Sequence, residues 1–335
     1  MPNRRSSKTP RRGSAPHGRS EGAGGVLPEL AHLHWELPHT FLGLDEGASD
    51  FASSRAVIFP VPYEATTSYG GGAQSGPRAI VEASRYLELY DQELKTDPST
   101  VGIHTFPALE LTRDGAAAAM TELEDAYSCV AEILEDRFLI MLGGEHSVSA
   151  PAIRARAARS GRLNVLQFDA HADLRPEFEG SPHSHACAMA RVLDIADLVT
   201  VGVRGVAEDE VKVARENDGI TLVWADEMWE DDDWMERALD ALGDPVYVTF
   251  DVDYFDPSLV PSTGTPEPGG GEWFRTLRFL RRVFREREVV ACDVVELAPT
   301  PGSHASDFLV AKLVYKMIGY RFEHELESQS SDGER

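Results

Sequence analysis

Lysine is scarce in this 335-residue chain: only five of its 32 basic residues are Lys, and the rest are Arg. Three cysteines, Cys129, Cys187 and Cys292, are too few for a disulfide scaffold, so the chain reads as a soluble protein of a reducing compartment, the cytoplasm. No run approaches the roughly 18–20 apolar residues that a membrane-spanning helix needs, and no membrane partner is expected. The opening MPNRRSSKTPRRGSAPHGRS is basic but has no apolar stretch behind it, so it does not read as a secretory signal. Positive charge is in short supply overall: 56 Asp and Glu leave a net charge of −24. Residues 1–20 hold six basic groups and no acid, so residues 21–335 carry 26 basic groups against 56 acidic ones, a net of −30. A body of that charge is a poor partner for nucleic acid and steers small cations inward. The excess of acid over Lys reads first as GC-rich codon usage with a solvated surface, and second as a salt-adapted surface.

What the chain does have is apolar material, 42% of residues, enough for a sizeable core. Residues 1–25 are rich in Arg, Ser, Gly and Pro and read as a disordered basic tail; 26–325 read as one domain, and 326–335 as a second loose end. Short apolar runs punctuate the middle: AVIFPVPY (56–63), FLIML (138–142), LNVLQF (163–168), LVTVGV (198–203), ITLVW (220–224), VYVTF just before Asp251, and VVACDVVEL (289–297). They lack clean alternation, as strands covered on both faces do. Helical patterns lie between them at 116–136, 147–159, 206–217, 231–242, 272–285 and 304–322. Repeated strand-then-helix units argue a three-layer α/β/α domain with a mainly parallel central sheet. In such sheets ligands sit beyond the carboxyl ends of the strands.

Three of those ends carry the chemistry. FLIML runs into Gly143-Gly144-Glu145-His146, LNVLQF into Asp169-Ala170-His171-Ala172-Asp173, and VYVTF into Asp251-Val252-Asp253. In extended chain, residues two apart share a side, so each set can aim at one point. The paired glycines before His146 allow a tight backbone path. Four carboxylates crowded together repel, and some must take protons unless cations arrive. Four Asp and two neutral His carry −4, which two divalent cations neutralise. Mixed carboxylate and imidazole donors suit Mn²⁺, with Fe, Co, Ni or Zn as other candidates. No cysteine lies on these strand ends, which argues against a structural zinc site.

These residues carry a resemblance. GGEHS (143–147), DAHADLR (169–175) and DVDYFDPSLVPSTGTPEPGG (251–270) resemble the three signature segments of the ureohydrolase family of arginases and agmatinases. VPYEATTSYGGGAQSGPRAI (61–80), YDQEL (90–94), VGVRG (201–205) and DVVELAP (293–299) resemble its agmatinase-like branch, so the likeness spans roughly residues 34–322. It implies the arginase/deacetylase-like three-layer fold, two Mn²⁺ per subunit, and hydrolysis of a cationic guanidino compound to urea plus an amine. The substrate expected is agmatine, giving putrescine for polyamine biosynthesis. A homo-oligomer, trimer or hexamer, is expected on the same ground.

By the resemblance, His146, Asp169, Asp173 and Asp251 hold one metal; His171, Asp169, Asp251 and Asp253 hold the other, with Asp169 and Asp251 bridging. Asp173 also hydrogen-bonds the tetrahedral intermediate. Glu267, in GTPEPGG, matches the glutamate that grips the guanidinium, a planar group suited to a carboxylate fork. His185, in HSHAC, matches the histidine that passes a proton to the leaving amine, a task suited to imidazole; His183 is its rival two residues earlier. Glu145 and Glu296 are candidates for orienting the ligands. Two departures bear on the substrate: Ala186-Cys187 stand where agmatinases have Gly-Thr, and Gly70-Gly71 replace a common Arg-Pro pair. The segment between Asp173 and His185 offers Glu177 and Glu179 to a cationic tail, with Arg175 tied up by its own loop. Other readings within the chemistry are guanidinobutyrase, guanidinopropionase, arginase, guanidinase and formimidoylglutamase. Outside it stand a non-catalytic homologue and a metal-dependent amide deacetylase of the same architecture, which typically has one metal.

Overall fold

The computed structural model describes residues 36–333, with side chains through Ser328; the expected basic tail, 1–25, lies outside the described residues. Leu37–Arg335 cluster as one compact unit. Eight strands form one sheet: β1 (Ala56–Val61), β2 (Ile103–Thr105), β3 (Phe138–Gly143), β4 (Leu163–Phe168), β5 (Ala196–Val203), β6 (Ile220–Trp224), β7 (Val246–Asp251) and β8 (Val289–Val295). All pairings are parallel, in the order β2-β1-β3-β8-β7-β4-β5-β6.

The uninterrupted apolar runs follow from burial on both faces. Ala56, Ile58, Phe138, Ile140 and Leu142 pack into one core, while Val57, Phe59, Val61, Leu139 and Met141 pack into the other. In chain order the helices are α1 (Glu46–Ser49), α2 (Gly76–Ser84), α3 (Ala116–Leu134), α4 (Ser149–Ser160), α5 (Glu208–Glu216), α6 (Ala225–Glu230), α7 (Asp233–Ala241), α8 (Trp273–Glu286), α9 (Ala305–Arg321) and α10 (Glu323–Gly333). The first core draws on α2, α7, α8 and α9, the second on α3 and α4, which makes the three layers. In α8 the buried set Thr276, Leu277, Phe279, Leu280 and Val283 recurs at helical spacing, as an amphipathic helix requires. No helix among the described residues is long and apolar enough to cross a membrane.

Some elements differ from the sequence reading. The three-residue β2 is too short to show a period, and the helix α2, which opens on Gly76-Pro77, lies outside the helical patterns of the sequence although its buried Ile80, Val81 and Ser84 recur at helical spacing. β1 ends at Val61, ahead of Pro62. The C-terminal stretch read as a loose end begins as α10, because Leu326 is buried in the first core and Glu323 is buried between Arg281 and Arg285 of α8.

Register brings the strand ends level. Leu142 pairs with Val294, Asp251 with Val295, and Phe250 with Phe168. The segments after β3, β7 and β4 therefore leave the sheet at one height, with β8 between the first two. Beneath them the rings of Phe168 and Phe250 stack at 4.7 Å, and Tyr254 meets both edge-on. This apolar floor fixes the two acidic strand ends side by side.

The glycines before His146 are required by space. A Cβ on Gly144 would stand 1.9 Å from the Tyr63 carbonyl oxygen, because Gly144 N–H donates to Val61 O and Glu145 N–H to Tyr63 O. Gly144→Ala should therefore destabilise the fold by about 1–3 kcal/mol or more, the range for forced overpacking. Urea unfolding measures it, and an unchanged midpoint would show that the backbone yields freely there.

Candidate metal centre and pocket

The six expected ligands converge, although not through extended backbone as the two-residue spacing suggested. Asp173 sits at φ 52°, a left-handed conformation in which a short polar side chain is tolerated. Asp253 lies in a 3₁₀ turn, Val252–Tyr254, capped by the Asp251 carboxylate, which accepts from Asp253 N–H at 2.9 Å. His146 opens another such turn. Sharp turns after the strands, rather than continued strands, gather the side chains.

His146 Nδ1 lies 3.0 Å from Asp169 Oδ2, 3.1 Å from Asp173 Oδ2 and 3.3 Å from Asp251 Oδ2. His171 Nδ1 lies 3.0 Å from Asp253 Oδ2 and 3.5 Å from Asp169 Oδ1. Donor atoms of His146, Asp169 and Asp251 come within 4.8 Å of one another, as do those of Asp169, His171 and Asp253, so Asp169 is common to both groups. All are buried except His171, which is half-buried. The donor set fits divalent cations on a specific ground. His146 Nδ1 is sealed from solvent, faces three carboxylates and makes no hydrogen bond. A nitrogen so placed fits a metal ligand better than a structural donor.

The electrostatics agree. Burial pushes Asp251 well above the ordinary carboxylate range, and the charges of Asp253 and Asp169 push it further. Asp173 is raised by burial and by the Asp169 charge. Asp169 goes the other way: burial opposes its charge, but close contact with the His146 and His171 imidazoles holds it low. Burial disfavours the His171 imidazolium, yet the charge of Asp253 and contacts with Asp169 and Asp253 carry it up to about 12. His146 is likewise held well above its ordinary value despite burial, through Asp169, Asp173 and Asp251. Without cations, protons are favoured on Asp251, Asp173 and the two imidazoles but not on Asp169, and metal would displace them.

The centre forms the base of a cavity of about 170 Å³ whose wall includes Ser68, Tyr69, Arg175, Phe178, His185 and Thr265. His185 faces it; its N–H donates to Thr66 Oγ1 at 3.0 Å, and its Nε2 lies 3.4 Å from Ser68 Oγ. His183 instead borders a neighbouring depression with Arg191, and burial and that arginine lower its pKa. Glu267 is not on the cavity wall. Its carbonyl oxygen accepts from Arg204 Nη2 at 2.8 Å, and a Cβ on Gly205 would stand 2.9 Å from His171 Cδ2 and 3.4 Å from Glu267 Cγ. Glu267 and the His171 ring thus flank one glycine. Glu296 N–H donates to Gly144 O, and its carboxylate, pushed up to about 8 by burial, accepts from His146 N–H at 2.7 Å. The Glu145 carboxylate accepts from Ala65 N–H, Thr66 N–H, Thr66 Oγ1 and Ser147 Oγ, at 2.6 to 2.8 Å.

Glu177 and Glu179 are exposed and stand off the cavity wall, so they do not meet a substrate tail as their place in the sequence suggested. The pocket-facing acid there is Glu210, on α5, which no motif marked. It accepts from Leu174 N–H and Ala207 N–H and lies 3.5 Å from Arg175 Nε. Arg175 is also stacked over Phe178 at 4.8 Å, so it is tied up as expected. Cys187 is fully buried, and burial together with the Asp173 charge pushes its thiol up to about 11, which makes it a packing residue. Gly70 N–H donates to Gly264 O at 3.1 Å, and a Cβ on either glycine would stand 2.8 Å from the other's carbonyl oxygen. The Gly70 departure thus closes one wall.

This architecture and this cluster of acids and imidazoles are those of the arginase family, whose sequence model, described as "Arginase family", matches residues 54–319. The chain belongs to that family and is an agmatinase-like ureohydrolase, a hydrolase of guanidino compounds. It is 40% identical over 289 residues to the N(1)-aminopropylagmatine ureohydrolase of Synechocystis sp., covering 84% of this chain and 94% of that one. It is 32% identical to the agmatinase of Pyrococcus horikoshii, covering 81% and 93%. Among solved structures, the agmatine ureohydrolase of Thermoplasma volcanium superposes with a TM-score of 0.74 at 26% identity, covering 84% of this chain and 94% of that one.

In protein freed of divalent cations, His171 should stay protonated through neutrality. Its folded value, about 12, lies above the ordinary 6.5. The pairing therefore stabilises the cation-free fold fully below about pH 6.5 and is lost as pH rises toward 12. The His171 ring resonance should show no titration between about pH 6 and 9; a step near 6.5 would mean that the acids do not grip it.

Proposed function

We propose that the chain hydrolyses the guanidinium of an agmatine-type substrate, with agmatine plus water giving putrescine plus urea as the simplest case, on a centre of two Mn²⁺. The observation that carries the reading is the buried His146 Nδ1 facing three carboxylates, beside a second group that shares Asp169. His146, Asp169, Asp173 and Asp251 would hold one cation, and His171, Asp169, Asp251 and Asp253 the other. Bound there, the metals lower the pKa of water from about 15.7 toward ~7, which makes a nucleophile available at neutral pH. Asp173 accepts a hydrogen bond from the tetrahedral species. Glu267 takes guanidinium N–H groups once its side chain turns toward the His171 edge. His185, on the wall, passes a proton to the departing amine nitrogen as the C–N bond breaks, so that urea and an ammonium leave.

The tail is read by what the wall lacks. Among the described residues Arg175 is the one Lys or Arg on it, and Glu210 and Phe178 already engage it. A substrate carboxylate finds no free Lys or Arg there among the described residues, and a desolvated like-charge contact costs several kcal/mol. An ammonium tail meets Glu210 and the rings of Phe178 and Tyr69 instead. N(1)-aminopropylagmatine is the second reading, favoured by relatives that carry that name at 38–40% identity, with another at 30%, against 30–32% for agmatinases. It would leave an aminopropyl-substituted putrescine through the same steps.

Urea release from agmatine, N(1)-aminopropylagmatine, arginine and 4-guanidinobutyrate decides among these. The two polyamine precursors should exceed the carboxylates in kcat/KM by roughly 100-fold, the equivalent of a few kcal/mol. Preference for a carboxylate substrate would sink the reading of the tail. Asp251→Asn should lose metal and nearly all turnover with the fold intact. His185→Ala should keep its metal and lose ~10²–10⁴ in kcat, partly restored by imidazole; loss of metal would make His185 a ligand instead, and an effect confined to His183→Ala would transfer the role there.

A further inference from the structure

The ring of His146 is gripped from behind by a polar string sealed between strands. His146 Nε2 lies 2.9 Å from Thr249 Oγ1. The Thr249 hydroxyl donates to Asp293 Oδ1 at 2.6 Å, and the Tyr247 hydroxyl donates to Asp293 Oδ2 at 2.8 Å. Thr249 and Asp293 face each other in register across β7 and β8. His146, Thr249, Tyr247 and Asp293 are all essentially without solvent exposure.

A threonine hydroxyl has one proton to give. Thr249 has two acceptors for it, Asp293 Oδ1 at 2.6 Å and Ser149 Oγ at 3.3 Å, and the short bond to the acid takes it. The Thr249 oxygen then has only lone pairs to offer His146. The ring must donate through Nε2–H, so Nδ1 is the nitrogen turned toward Asp169, Asp173 and Asp251, and a cation would take its lone pair by displacing the proton those acids favour there. Burial raises the Asp293 carboxyl, while the His146 charge and the Thr249, Tyr247 and Ser149 hydroxyls draw it back toward ionisation. His171 has no counterpart: among the described residues its Nε2 has no hydrogen-bond partner, and its side chain is 27% exposed.

We propose that Asp293, acting through Thr249, is the positioning residue that fixes His146 as an Nδ1 metal ligand and so sets divalent-cation affinity at one half of the centre and not the other. The inference rests on the metal-centre reading above but not on the substrate. Asp293 never touches the cation. It orients a hydroxyl, the hydroxyl orients a ring, and the ring presents a preformed donor that need not be reorganised on binding.

The test is Mn²⁺ binding to full-length, metal-stripped protein, followed by electron paramagnetic resonance of the free ion. Thr249→Val keeps the shape and removes the hydroxyl. It should weaken one of the two sites by about 10- to 100-fold, the range for lost partners of a ligating histidine, and leave the other at the wild-type value. Thr249→Ser keeps the hydroxyl and should bind both ions as the wild type does. Asp293→Asn, whose amide can donate back to Thr249 and reverse the string, should weaken the same single site. Two wild-type affinities in Thr249→Val would overturn the proposal, as would Thr249→Ser binding as poorly as Thr249→Val. A wild-type protein that binds no Mn²⁺ would overturn the metal-centre reading along with it; two sites in the wild type with no change in the variants would overturn this proposal alone.

Discussion

Excess negative charge in a buried crevice governs this molecule. Four carboxylates stand within reach of two imidazoles, and two imidazolium charges do not cancel four anions. The surplus shows in the opposed shifts of Asp169 and Asp251, one held low by its histidine contacts and the other driven high by burial and its neighbours. A fold that assembles such a set by level strand ends, an aromatic floor and three tight turns has stored a demand for cations in its core. The surrounding contacts then divide into those that aim the donors and those that shape the cavity above them.

Much of this was legible in the sequence because the signals were local. Continuous apolar runs mark strands buried on both faces, and seven of them lie where the sheet has strands. The six candidate ligands were legible because each set is contiguous. How they converge was not, since the left-handed Asp173 and the 3₁₀ turn at Asp253 leave no compositional trace. β2 is too short to show a period, and α10 conceals its buried Glu323 and Leu326 in a polar stretch.

The misreadings share one physical cause. Proximity along the chain says which residues are near a site but not which way they face. Glu177 and Glu179 adjoin the cavity in sequence and point to solvent, while Glu210 comes from α5 and reaches the wall from beneath. Arg204, in the VGVRG segment, holds the carbonyls of Asp253 and Glu267 together, a link that only three-dimensional contact reveals.

Glu145 and His146 are adjacent in the chain and perform opposite duties. The carboxylate of Glu145 holds the Ala65–Thr66 backbone, and through Thr66 the His185 wall, while the next side chain faces the acids below. Rotation of the backbone between them moves both. The ligand side and the pocket side of the centre therefore hang on one peptide, so a substitution that shifts it displaces a candidate ligand and the His185 wall together.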